Sequence, residues 1–225
     1  GIDEARLEPV TLAMQQDPNL IVLGDAKKGK TTFLRALAHE LIRGRTPDEV
    51  RILAIDLRRN LLGEIPEEFL LAYLSVRDMA VSEINDLTGY LQGRLPGPDV
   101  TAEQLRNRSW WRGPEIYLLV DDYDLVATNT SNPLAPLQPL LAQAQDIGLH
   151  LVLTRRIGGT MRAMYEPIMQ TLGDLSTPGI MLPGSPDEGP LLGRQKPQPG
   201  PAGRARLISR DGVRTLHLAW TPPTM

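Results

Sequence analysis

Short apolar runs punctuated by glycine, proline and charge recur along this chain, each about as long as a buried strand. "NLIVLGD" (19–25), "RILAID" (51–56), "FLLAYLS" (69–75), "EIYLLVDDYDLV" (115–126) and "LHLVLTRR" (149–156) show little alternation. That pattern predicts strands buried on both faces. Between them apolar residues recur at helical spacing: Leu34, Leu37, Ala38, Leu41 and Ile42 before a stop at Gly44, and Met79, Val81, Ile84, Leu87, Tyr90 and Leu91 within 77–95. Further helices are predicted over 102–108, 132–148 and 161–175. Strand–helix alternation of this kind predicts an α/β fold with a mostly parallel central sheet covered on both faces.

The last fifty residues break the rhythm. Pro178 to Pro201 holds seven Pro and five Gly in 24 residues, too many for a helix or a central strand. Such a segment is either a functional loop or a connector crossing the sheet. "GRARLISRDGVRTLHLAW" then predicts a C-terminal β-hairpin, with Asp211-Gly212 as its turn signal.

Composition narrows the class. The 225 residues suit a single domain over 1–225, and a start at Gly1 reads as a module of a longer chain. Hydrophobic content of 41% and charged content of 23% are those of a globular protein, and only 4% is aromatic, so Leu, Ile, Val and Ala must build the core. No apolar run approaches the roughly 20 residues of a membrane-spanning helix. The absence of cysteine excludes disulfides, thiolate metal sites and thiol catalysis. The net charge is −3, with basic residues interleaved among acids. A channel for DNA needs a clustered basic stripe instead.

Candidate chemistry concentrates in "GDAKKGKTT", which satisfies G-x-x-x-x-G-K-[ST] between a predicted strand and a predicted helix. In that context Gly24, Asp25, Ala26, Lys27, Lys28, Gly29, Lys30, Thr31 and Thr32 form a phosphate cradle of backbone N–H groups at a helix N-terminus. ATP and Mg²⁺ are the expected cofactors. "YLLVDD" places Asp121 at the end of a buried strand, where it and the Thr31 hydroxyl form the expected Mg²⁺ pair. Asp122 takes the position from which a carboxylate orients and deprotonates the attacking water. Thr154, closing the next strand, is the expected polar sensor, or simply a β-branched strand residue.

The order "GDAKKGKTTFLR", "RILAID", "LVDDYDLV" and "GLHLVLTRR" resembles the FtsK/SpoIIIE-type motor ATPases. Arg94 to Val126, with "RLPGPDVT" and "RSWW", is similar to the last ATPase module of EccC-type proteins of type VII (ESX) secretion. The resemblance implies a RecA-like P-loop NTPase core and tandem neighbouring modules of the same or an identical chain. It also implies cytoplasmic placement at the inner face of the cell membrane, within a membrane secretion complex. The implied partners are secreted helical-hairpin proteins, recognised through a C-terminal signal, and no nucleic acid is expected. The competing class is a DNA-translocating motor. One departure bears on activity: FtsK-type motors carry Asp-Glu where this chain has Asp121-Asp122. A side chain one methylene shorter sits about 1.5 Å further back, and a misplacement of ~1 Å can cost ~100-fold in rate. Binding is therefore expected and hydrolysis is expected to be weak or absent.

Several residues keep two readings. Lys27 and Lys28 are solvated loop-tip charges or contacts for phosphate or an acidic neighbour. Arg94 is the cationic end of a helix or an arginine finger lent to a neighbouring module, and Arg155 and Arg156 share that ambiguity. Of the adjacent Trp110 and Trp111, at most one is expected to point into a core, the other lying at the surface as packing or as a partner anchor. His39, His150 and His217 are read as structural.

Overall fold

The computed structural model describes residues 1–128 and 131–224. Its strands are β1 (Ile2–Asp3), β2 (Leu20–Leu23), β3 (Val50–Ile55), β4 (Leu70–Leu74), β5 (Glu115–Val120), β6 (Leu149–Arg155), β7 (Gly179–Met181), β8 (Arg204–Ser209) and β9 (Gly212–His217). They join one sheet in the order β1-β9-β8-β7-β2-β6-β5-β3-β4. From β7 to β4 every pairing is parallel, whereas β8, β9 and β1 extend the β7 edge antiparallel.

The apolar runs explain this burial residue by residue. In β2, Ile21 and Leu23 face one core cluster while Leu20 and Val22 face the other; in β5, Ile116, Leu118 and Val120 oppose Tyr117 and Leu119 in the same way. One face is covered by α1 (Lys30–Ile42), through Phe33, Leu34, Ala38 and Leu41. The other is covered by α2 (Arg77–Gln92), by the segment 135–147 and by a helix over 167–174. Two buried faces are why these strands lack alternation.

Four expectations need correcting. The predicted strand 115–126 stops at Val120, because Asp122 takes a left-handed conformation (φ 47°, ψ 59°) ahead of a helical turn, Tyr123–Val126. The predicted helix 132–148 is mostly a tight 3₁₀ coil, Ala135–Gln143, with α geometry only over Ala144–Ile147. Pro139 lies inside the coil and lacks the N–H that a longer α-helix needs. The predicted helix 161–175 is split into Thr160–Ala163 and Pro167–Asp174. Pro167 opens the second piece and the Glu166 side chain caps it. Finally, the Pro/Gly-rich segment does supply an interior strand: β7 pairs with both β2 and β8. Gly179 permits this, since a Cβ there would meet Leu192 Cδ1 at 2.3 Å. The hairpin is as expected, its ladder closing at Ser209–Gly212.

At the N-terminal end of the parallel strands, opposite the phosphate loop, Arg94 is 3% exposed. Its guanidinium donates to the carbonyls of Ile147 (3.0 Å) and Pro114 (2.9 Å) and to the Tyr90 hydroxyl (2.8 Å), and lies 4.0 Å from the Trp111 ring centre. Trp110 Nε1 donates to the Arg94 carbonyl and Trp111 Nε1 to the Asp146 carbonyl, both at 2.7 Å. Both indoles are half-buried and engaged within the domain. A guanidinium this enclosed cannot reach a neighbour's nucleotide, so Arg94 is not an arginine finger. It is a clamp tying α2 to the starts of β5 and β6. Arg94→Ala, which strands two carbonyls, is expected to lower unfolding stability by about 2–4 kcal/mol in urea titrations. Phosphate-ligand affinity should stay unchanged.

Candidate functional site

The phosphate loop follows β2 at Gly24, where a Cβ would lie 2.7 Å from Leu182 Cβ, so only glycine fits the close approach to the segment after β7. Gly29 (φ 112°) caps α1 without any side-chain cap, and no acidic residue occupies the first turn. The first N–H groups of α1 are therefore left for an anion. Lys30 is 8% exposed. Among the described residues its ammonium has only long polar contacts, 3.4 Å to the Asp25 carbonyl and 3.5 Å to Asp122 Oδ1. A buried cation short of close partners suits a phosphate group.

The carboxylate side of the site is tighter. Thr31 Oγ1 donates to Asp121 Oδ2 and Thr154 Oγ1 to Asp121 Oδ1, both at 2.7 Å. Thr154 Oγ1 also accepts from the Asp122 N–H at 2.9 Å. Asp121 is 2% exposed, and burial pushes its pKa up against the opposing pull of the two hydroxyls. Among the described residues this desolvated carboxylate has no ion-pair partner, and with the Thr31 hydroxyl beside it the pair fits a divalent ion.

Asp122 is differently placed. Its Oδ2 pairs with Arg58 Nε at 2.9 Å and its Oδ1 lies at 3.5 Å from Lys30. Arg58 was not foreseen; it follows β3 on a turn organised by buried Asp56, which accepts from the Arg58 and Leu61 N–H groups and from the Tyr73 hydroxyl. The only trace of it in sequence is "DLRRN", charge directly after a strand. Arg156 pairs with Asp124 (3.2 Å) at the rim, and Arg155 donates to the Gly159 carbonyl.

Lys30, Thr31, Arg58, Asp122, Asp124 and Arg156 line a cavity of about 730 Å³ that also touches Ala26, Lys27, Gly29, Thr32 and His217, with Asp121 and Thr154 buried behind its wall. Lys28 is not a free loop-tip charge: its ammonium donates to the Gly200 carbonyl (2.9 Å), and its own carbonyl accepts from Gly203 N–H (3.1 Å). Lys27 stays exposed at φ 61°.

Thr154 is fully buried and serves both acidic neighbours at once. Thr154→Val is expected to destabilise the domain by about 2 kcal/mol in chemical denaturation, since it leaves a buried carboxylate and an N–H short of a partner. Thr154→Ser should recover most of the loss.

The FtsK/SpoIIIE family model matches residues 3–69. The chain is 44% identical over 224 residues to the ESX-4 secretion system protein EccC4 of Mycobacterium tuberculosis, covering 99% of this chain but 18% of that protein. Among solved structures it is similar to Thermomonospora curvata EccC (ATPases 2 and 3) in complex with a signal sequence peptide. There the TM-score is 0.95 and the identity 44%, over 99% of this chain and 40% of that one. It is also 32% identical to a solved ATPase, with a TM-score of 0.90, covering 99% of this chain and 86% of that one. With the sheet, the phosphate loop and the acidic strand end in place, the chain belongs to the FtsK/SpoIIIE family of P-loop ATPases, in its EccC branch of type VII (ESX) secretion.

Proposed function

We propose that this chain is one ATPase module of a type VII secretion motor, which holds Mg-ATP, turns it over slowly or not at all, and engages the C-terminal signals of exported helical-hairpin proteins. The observation that carries the nucleotide half is the Thr31–Asp121–Thr154 hydrogen-bond chain beside an under-partnered Lys30. Bound Mg²⁺ would supply positive charge to the phosphates and to Asp121. The chain's own groups would do the rest: α1 N–H groups and Lys30 would bind the phosphates, and Thr31 and Asp121 would hold the metal.

Slow turnover follows from Asp122. Its oxygens are already shared by Arg58 and Lys30, so accepting a proton from water requires breaking at least one of those pairs. The side chain is also a methylene short of the glutamate of related motors. Calorimetry is expected to give micromolar or tighter Mg-ATP binding, abolished in Lys30→Ala. Steady-state turnover should fall far below the roughly 10 per second of a median enzyme. Equal heats for both proteins, or none for either, would overturn the nucleotide reading.

Support for the second half comes from a relative, whose solved complex holds a signal sequence peptide. The chain's own support is its interleaved charge, which lacks the basic stripe of a DNA motor. Trp110 and Trp111 contribute nothing here, because both are engaged internally. Location at the inner face of the membrane, in contact with neighbouring modules, belongs to the same reading; among the described residues no helix is long and apolar enough to cross a membrane. A labelled signal peptide is expected to bind with little dependence on salt, because a helical tail docks through apolar area. A labelled duplex should bind weakly if at all. Tight duplex binding that drops by orders of magnitude between about 50 and 200 mM salt, without peptide binding, would favour the DNA motor.

A further inference from the structure

The cavity extends well beyond the phosphate site. Lys30, Thr31 and the acidic end of β5 occupy one part of it; elsewhere its lining changes to Phe33, Leu218, Ala219 and Trp220. The sheet order separates these parts, since β5 lies on one side of β2 and β9, which leads into Leu218–Trp220, on the other. Aromatic and aliphatic walls are poorly suited to phosphate and well suited to the flat face of a heterocycle.

The segment after β9 is a strap pinned at one end to the phosphate loop and at the other, through Glu64, to α1. At its start the Leu218 N–H donates to the Gly203 carbonyl (2.8 Å), and the Gly203 N–H donates to the Lys28 carbonyl of the phosphate loop (3.1 Å). At its end the Thr224 N–H and hydroxyl both donate to Glu64 Oε2 (3.1 Å each). Buried Glu64 in turn pairs through Oε1 with Arg35 of α1 (2.8 Å), itself a wall of the cavity. Trp220 sits between these anchors and is 70% exposed. Unlike Trp110 and Trp111, its indole makes no hydrogen bond among the described residues. Held on a fixed strap and unused by the core, this large aromatic stands on the wall between the nucleotide cavity and an adjoining apolar one lined by Leu12, Met14 and Leu37.

We infer that Trp220 is the stacking platform for the base of the bound nucleotide, carried on a C-terminal strap that the phosphate loop and α1 hold in place. The inference rests on the nucleotide reading above. Stacking acts on the base and leaves the phosphates to Lys30 and Thr31, so the two contributions separate by ligand. Mg-ATP carries both groups, and Mg-tripolyphosphate carries the phosphates alone.

The test titrates the 225-residue chain and its variants with each ligand, by calorimetry and by tryptophan emission. Trp220→Ala is expected to weaken Mg-ATP about tenfold, the scale of one base–aromatic stack, and to leave Mg-tripolyphosphate unchanged. Trp220→Phe should keep most of the ATP affinity. Mg-ATP should change the emission of the wild-type chain, whereas tripolyphosphate should not, and Trp220→Phe should lose the change. Unchanged ATP affinity in Trp220→Ala, with both ligands lost in Lys30→Ala, overturns the platform and leaves the nucleotide reading standing. Equal weakening of both ligands in Trp220→Ala also overturns it, assigning the residue to the shape of the strap. A wild-type chain that binds neither ligand overturns both readings.

Discussion

Asp121 is a buried carboxylate whose side-chain partners are two hydroxyls, and three elements of the fold meet on it. It directly follows β5, Thr31 brings the first turn of α1, and Thr154 brings the end of β6. Removing a charge from water costs several kcal/mol unless it is paired. Neutral hydroxyls offset only part of that, which is why burial still drives the pKa of Asp121 upward. The remaining deficit fixes α1, β5 and β6 relative to one another through short bonds, and it leaves a site that gains from a cation. Asp122, forced into a left-handed conformation directly afterwards, turns its carboxylate toward Lys30 and Arg58.

The two ends of the parallel sheet treat charge in opposite ways. Arg94, at the N-terminal end, makes three hydrogen bonds of 2.8–3.0 Å and stacks on Trp111. Lys30, at the C-terminal end, has no polar partner closer than 3.4 Å among the described residues. Both cations are more than nine-tenths buried. A buried cation with short partners contributes to the fold, whereas one left short of partners is available to a ligand. That contrast separates the clamp from the site more sharply than residue type does, since Arg and Lys are equally plausible phosphate contacts from sequence.

Much of this was legible in the chain. The doubly buried strands and α1 follow from uninterrupted apolar runs and 3.6-residue spacing, and the phosphate loop, Asp121 and Thr154 sit where strand ends must place them. What sequence concealed was non-local. The left-handed turn at Asp122 looked like strand because the apolar run resumes at Leu125 and Val126. β7 was masked by Pro178 and Gly179, whose usual meaning is a loop, although here the glycine lets Leu192 pack against the strand. Arg58, Glu64 and Trp220 carry no motif, and their roles exist only because β3, α1 and the C-terminal strap converge.

The hairpin β8–β9 is therefore part of the site's construction and not an appendage. Backbone bonds run from the strap at Leu218 through Gly203 to Lys28 in the phosphate loop, while Lys28 also holds Gly200 through its side chain. The other end of the strap closes on Glu64, which Arg35 ties to α1. The phosphate loop and α1 are thus bridged twice, once by direct chain continuity and once through the C-terminal segment. A movement of the strap must be absorbed by the loop backbone or by the Glu64 anchor, because packed cores and short hydrogen bonds resist gradual deformation. The proline-rich connector that looked like an interruption delivers the hairpin to the β7 edge, and with it the second wall of the cavity.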